Sequence, residues 1–414
     1  MQATSTTWTG RWKTSVSTKK TPTRQPRRSG PSWPAHEKEG LFLENRNYGK
    51  KKLAILDDYF PSLKTGFRIS EFNHYLDRYP SCEVFSSRYD AFYPEYAAVY
   101  PQYRDRVKSF TEFDWTGESY GLYYTVFLGN ANSFYFIYEM TNTPFVLELY
   151  PGGGYWINDA EVDARLIKIL QSPLLKKVIV TQRLTYDYIT KNGFAPPDKI
   201  AYIYGMVTHP QYFRAAPEKR FYKKDKSTFD ICFVANKYMA LGVDKGYPIF
   251  IDLCRRLAPA ADDIYFHVVG DFDGSDIDIG GLGGRITFHG SRDHHFFPGF
   301  YSGMELIVSP NVPFVLIPGK NYDGFPTGCC IDAALHNVAV FCTDLLNQNE
   351  HFGDGTNLVL IPPDAGLIAE RILDYYKAPE RLYRLSAQGR AKFREVFDFD
   401  TQMKKRTDLL EQYL

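Results

Sequence analysis

The sequence predicts an α/β protein built from two doubly wound parallel-sheet domains that face each other across a cleft. Three observations predict it. Short apolar runs of strand length alternate with longer amphipathic segments, and the alternation comes in two series. A charged, apolar-poor stretch, Arg214 to Ser227, separates the series. At 414 residues the chain exceeds one ordinary core, so two domains are the natural division. Its 44% hydrophobic and 23% charged content is that of a globular protein.

The elements follow in order. Lys51 to Asp58 is a short apolar run that reads as a buried strand. A loop from Phe60 to Gly66 leads into Phe67 to Tyr79, where Phe67, Phe72, Tyr75, Leu76 and Tyr79 are spaced as a helix face. Strand, glycine-bearing loop and helix form the opening unit of a doubly wound sheet. The pattern repeats with a strand at Tyr123 to Leu128, a helix at Ser133 to Met140 and a strand at Phe145 to Leu149. After the tight turn Tyr150-Pro151-Gly152-Gly153-Gly154 come a helix at Asp159 to Leu170, a strand at Lys177 to Thr181, a helix at Leu184 to Lys191 and a strand at Ile200 to Tyr204.

The second series opens with a strand at Phe229 to Ala235 and a helix at Tyr247 to Leu257. Strands are expected at Ile264 to Val269, Ile286 to Phe288 and Glu305 to Val308, then a helix at Thr327 to Leu335 and strands at Val338 to Phe341 and Leu358 to Ile361. A helix at Pro363 to Tyr376 follows, and residues 380–414 read as terminal helices. The domains are thus expected at 47–213 and 214–385, with residues 386–414 packing back toward the first.

Residues 1–46 are rich in Ser, Thr, Pro, Lys and Arg, and a segment so poor in apolar side chains is expected to be disordered. Before Glu37 it carries seven basic residues and no acidic one. Removing those seven from the 49 Lys and Arg leaves the rest, with its 48 acids, at a net charge of −6. The overall +1 gives no reason to expect a nucleic-acid partner. The basic tail suits an organelle transit peptide, or peripheral contact with an anionic membrane surface, as well as it suits a passive extension. With no run of ~18 apolar residues and no apolar leader, neither a membrane span nor a signal peptide is expected, and the location implied is cytoplasmic. The six cysteines are scattered without a Cys-x-x-Cys pair, the usage of small buried hydrophobes in a reducing compartment.

Chemistry concentrates between Asp323 and Asp344. An acid is followed by a Gly-Phe-Pro turn and then by a helix opening near Thr327 and Gly328. A helix start offers unpaired N–H groups and the positive end of a dipole, which suits a diphosphate. Asp323 stands just before it, where a carboxylate can accept from sugar hydroxyls. Asp332 lies inside the helix among apolar neighbours and needs a partner, for which a ribose hydroxyl pair or a lysine would serve. Asp276-Ile277-Asp278 has the letters of a metal motif but lies in a Gly-rich loop. His294-His295 with Asp293 lacks a third and fourth ligand. No metal or cofactor is expected.

The stretch resembles the acidic-pair signature of retaining glycosyltransferases of the GT-B fold, family 4 (glycosyl transferases group 1), which reads Glu-Gly-Phe-Pro…Glu-Ala…Pro-Val…Thr-Asp. That resemblance implies two Rossmann-like domains and transfer of a hexose from a nucleotide-diphosphate sugar to a saccharide or other hydroxyl acceptor, with retention and without metal. It gives Asp323, with Gly324, Phe325, Thr327 and Gly328, to the donor sugar and phosphates, and Asp332 to the ribose. Lys245 would neutralise the leaving diphosphate, and Asn236 or Lys237 stands where the family has an arginine. His289 and Gly290 fall in the loop that receives the nucleobase, and Gly66 and Arg68 in the glycine loop of the first domain. Here both acids are Asp and lie one residue further apart than usual. The Tyr150-Pro151 turn has no histidine where many members carry one. The same architecture would also accommodate a sugar-nucleotide epimerase, or a nucleotide-sugar-binding homologue without turnover.

Overall fold

The computed structural model describes residues 52–214 and 218–414; the basic tail and its expected disorder lie outside them. The first series forms a seven-stranded sheet, all of its pairs parallel, in the order β3-β2-β1-β4-β5-β6-β7. Its strands are β1 (Lys52–Asp57), β2 (Glu83–Ser86), β3 (Val107–Ser109), β4 (Tyr120–Val126), β5 (Phe145–Leu149), β6 (Leu175–Val180) and β7 (Ile200–Tyr202). The helices of this half are α1 (Gly66–Arg78), α2 (Tyr89–Val99), α3 (Leu128–Ser133), α4 (Tyr135–Thr141), α5 (Ala160–Leu170) and α6 (Arg183–Lys191). β5 is buried along its whole length, as a central strand covered on both faces must be. Asp159 caps α5 by accepting from the N–H groups of Glu161 and Val162 at 3.0 and 3.2 Å.

After α7 (Gln211–Arg214), the second series forms a six-stranded parallel sheet in the order β10-β9-β8-β11-β12-β13. It comprises β8 (Phe229–Val234), β9 (Ile264–Val269), β10 (Ile286–Phe288), β11 (Leu306–Ser309), β12 (Ala339–Cys342) and β13 (Val359–Leu360), with helices α8 (Tyr247–Leu257), α9 (Phe296–Ser302), α10 (Gly328–Leu335) and α11 (Ala365–Lys377). Part of the charged stretch between the series is tied to this half: Tyr222 is buried and its N–H donates to Glu305 Oε1 at 3.0 Å. All six cysteines are unpaired, five of them buried. No helix among the described residues is long and apolar enough to cross a membrane.

Two differences from the sequence expectation have physical causes. The strand expected to run to Leu128 stops at Val126, because Phe127 takes a positive φ of 74° and turns the chain into α3. The unit β2-α2-β3 was not expected at all. Its strands are four and three residues long, too short for an alternation to show.

The chain ends by crossing back. α12 (Pro379–Val396) packs on α10 and β12 of the second half, and α13 (Phe399–Leu410) lies against α1 of the first. There Arg406, fully buried, places Nη2 2.6 Å from Glu148 Oε1, on β5. Tyr124 hydrogen-bonds to both Glu148 and Glu71, and both acids are fully buried. A tyrosine has one hydroxyl hydrogen, so one of its two carboxyl neighbours must be the donor. Burial and the Glu148 charge push the Glu71 carboxyl well up. Burial raises Glu148 too, but Arg406 outweighs it and holds Glu148 low. Glu71 is therefore the protonated partner, and Glu148 carries the charge that Arg406 balances.

Candidate functional site

The carboxyl ends of both sheets' strands open onto one cleft of about 450 Å³, the place where doubly wound sheets bind ligands. The second half supplies the charged wall. Lys245 ends a 3-10 turn, and Gly246 follows with φ 71° in the left-handed region. A Cβ on Gly246 would stand 2.0 Å from the carbonyl oxygen of Pro310, so only glycine lets the chain turn here into α8. Lys245 Nζ sits 2.7 Å from both carboxylate oxygens of Asp323 and 3.5 Å from Asp244 Oδ2. Burial disfavours the ammonium, but Asp323 and then Asp244 outweigh it, so its pKa is raised. Asn311 Nδ2 donates to Asp323 Oδ2 at 2.6 Å, and Gln348 Nε2 to the Asp323 carbonyl at 3.0 Å.

Beyond this pair the chain turns into α10. Thr327 does not cap the helix with its side chain, and its hydroxyl instead meets Ser309 Oγ at 3.2 Å. The first residues of α10 line the cleft with their N–H groups uncapped by any side chain. Asp332, one turn on, also lines it. No hydrogen bond or ion pair from a described residue reaches its carboxylate, and burial alone pushes it up to about 7. A carboxyl raised from 3.8 favours folding while protonated and loses that contribution as pH climbs through about 7. Asp332→Asn is thus expected to raise the melting temperature above pH 7 and to leave it nearly unchanged near pH 4. A lower melting temperature at pH 8 would show that the carboxylate has a structural partner.

The first half supplies the opposite wall: Gly66 and Arg68 from α1, Tyr150 and Pro151 after β5, and Gln182 after β6. Arg68 is anchored rather than free, its Nε 3.0 Å from Asp57 Oδ2 and Nη2 3.2 Å from Asp58. Its guanidinium lies 4.9 Å from the Phe127 ring centroid. A Cβ on Gly66 would meet His294 Cβ at 3.7 Å, across the two halves.

Of the residues singled out from sequence, the cleft brings together Gly66, Arg68, Asn236, Lys245, Asp323, Gly324, Thr327, Gly328 and Asp332. Four others stand behind its wall. Lys237 is ion-paired with Asp276. His289 meets His267 Nδ1 at 3.2 Å, and the Gly290 carbonyl accepts from Gly270. Phe325 is buried in the core of the second half. Among the described residues no group of three or more His, Cys, Asp or Glu is placed to hold a metal ion.

Several lining residues lie outside the stretches that the sequence marks for donor binding. Tyr238 is 62% exposed at the rim, with Lys245 Nζ 4.9 Å from its ring centroid. Arg292 follows β10. His294 donates from Nδ1 to the Leu63 carbonyl (3.2 Å) and meets Tyr100 Oη through Nε2 (3.1 Å), joining the halves. His209 stacks on it at 4.7 Å and is held neutral, its pKa lowered to about 3 by burial and by His294. The signal they do carry is positional: Gln182 and Arg292 each fall within a few residues of a strand's carboxyl end.

No protein-family model matches the chain. No curated protein matches it either. Solved structures do. HepE of Anabaena, crystallised with UDP-glucose, is 16% identical over 88% of this chain and 100% of its own, with a TM-score of 0.64. A glycosyltransferase of Rickettsia africae matches at 13% identity over 88% and 99%, with a TM-score of 0.62. Sucrose-phosphate synthase of Thermosynechococcus elongatus matches at 14% over 88% and 99%, with a TM-score of 0.61. The fold is GT-B. Two Rossmann-like parallel-sheet domains, and a GT-B cleft between them, are therefore the frame in which Lys245, Asp323 and Asp332 stand.

Proposed function

We propose that the chain is a glycosyltransferase moving a hexose from a nucleotide-diphosphate sugar to a saccharide or other hydroxyl acceptor, with retention and without a metal ion. The observation that carries the reading is the buried Lys245 against Asp323, directly before the uncapped start of α10 in a GT-B cleft. In this reading residues 214–385 hold the donor and 47–213 the acceptor. Lys245 and the α10 N–H groups neutralise the diphosphate as it leaves, supported by Asn236 and by Arg68 at the Gly66 loop. Asp323 and Gly324 take the sugar, and Asp332 accepts from the ribose hydroxyls.

The bond from the anomeric carbon to the phosphate oxygen breaks while the acceptor oxygen attacks on the same face. The acceptor's proton passes to the departing phosphate oxygen, so no side-chain nucleophile is needed and the protein holds geometry. HepE's complex with UDP-glucose supports a nucleotide hexose as the donor class. The test is a panel of UDP-, GDP- and ADP-hexoses with saccharide acceptors, added chelator in one arm, and the anomeric configuration of the product read by NMR. Transfer with retention, unaffected by chelator, is the expected result. Tight binding with no turnover of any donor would make the chain a nucleotide-sugar-binding protein instead, and interconversion of free nucleotide sugars would make it an epimerase.

A further inference from the structure

Gln182 follows Thr181 just beyond the end of β6 and is only 4% exposed, yet it lines the cleft. Its Oε1 accepts from the backbone N–H of Phe325 at 3.1 Å, across the two halves. That contact fixes the amide's orientation, because an N–H can only donate and must face the oxygen end. The NH2 end is therefore turned toward Gly324. Nε2 lies 2.8 Å from where a Cβ on Gly324 would stand, so the amide is packed directly against this turn. No described group accepts a hydrogen bond from Nε2, although the residue is almost wholly buried. Nε2 is not sealed off as a buried orphan but faces the open cleft, so a donor held in fixed orientation there is free to meet an acceptor on a ligand.

We propose that Gln182 reads the donor sugar: its Nε2 donates to a hexose hydroxyl oxygen beside Asp323, while its Oε1 holds the Asp323-Gly324-Phe325 turn closed against the first half. This rests on the glycosyltransferase reading of the cleft and adds to it a specificity contact from the acceptor-side domain. The same hydroxyl would then be held by an acceptor, Asp323, and a donor, Gln182. Such a pairing discriminates against a sugar that lacks or inverts that hydroxyl, because the amide donor and the carboxylate then both lose the partner that the sugar supplied.

Calorimetric titration of the wild type and Gln182→Met with nucleoside diphosphates, the matching nucleotide hexoses and their monodeoxy analogues tests it. Gln182→Met should leave diphosphate affinity unchanged and weaken the intact nucleotide hexose by about tenfold. It should have no further effect on the one deoxy analogue that lacks the hydroxyl read by Gln182. Equal weakening of all ligands, or of none, would reduce Gln182 to a clasp and overturn the proposal. Should the melting curve show that Gln182→Met folds poorly, Gln182→Glu keeps an acceptor for Phe325. The comparison of hexose with deoxyhexose on the same nucleotide then decides between sugar contact and clasp in the same way. A wild type that binds nucleoside diphosphates but no nucleotide hexose would sink the glycosyltransferase reading, and this inference with it.

Discussion

Lys245→Ala is expected to lower turnover by roughly 10²-fold or more, the loss typical of a principal electrostatic contact in a transition state. Lys245 is 7% exposed and its ammonium stands between two carboxylates, Asp323 at 2.7 Å and Asp244 at 3.5 Å. Both oxygens of Asp244 are buried without a hydrogen-bond partner among the described residues, so Lys245 is the charge that makes this acid tolerable. Removing it leaves two acids with no cation between them, at the place where the proposed diphosphate would depart. Arginine should be a poor substitute, since its planar fork is longer and cannot act as a compact point charge. A melting curve separates lost catalysis from lost folding, and affinity for nucleoside mono- against diphosphate locates the effect. Unchanged kinetics would remove Lys245 from the site.

Arg406→Met is expected to cost about 3–5 kcal/mol of folding stability, because breaking a buried pair leaves an uncompensated charge. Here that charge is Glu148, fully buried on a central strand. In the wild type Glu148 is held low, so its contribution is present above the unfolded carboxyl pKa and lost on acidification. Without Arg406, burial pushes the same carboxyl up, and the variant loses stability as pH rises. The deficit should therefore be largest near pH 8 and narrow toward pH 5, measured by urea unfolding. Glu71→Gln should hold or gain stability at neutral pH, since the amide imitates the protonated acid that Glu71 already is. A deficit for Arg406→Met below about 1 kcal/mol at neutral pH would show that the pair is solvated or replaced.

Most of the fold was legible because parallel strands buried on both faces leave short, predominantly apolar runs, as in Phe145 to Leu149 and Phe229 to Val234. The acidic turn and its helix were legible because glycine, proline and a helix start fall together within a few residues. Two kinds of feature were not. Glu148 stands inside one of those apolar runs, and a lone acid there signals burial, but its partner Arg406 is 258 residues away on a helix of polar appearance. Gln182 likewise has ordinary neighbours in the chain. Its importance exists only in space, where the other half's Phe325 meets it. Lys237 and Asn236 show the same limit at close range: adjacent in sequence, they part at the end of β8, one toward Asp276 and one toward the cleft.

The return of the last helix has a consequence for anyone recombining this protein. A domain exchange would ordinarily graft another GT-B protein's first half onto this chain's second, cut at the stretch near residue 218. That chimera would carry α13 from the wrong parent, and Arg406 would arrive beneath a foreign β5 with no acid to receive it. For engineering, the first-half module is discontinuous in the gene, and its closing segment, 399–410, has to be transplanted with its opening one.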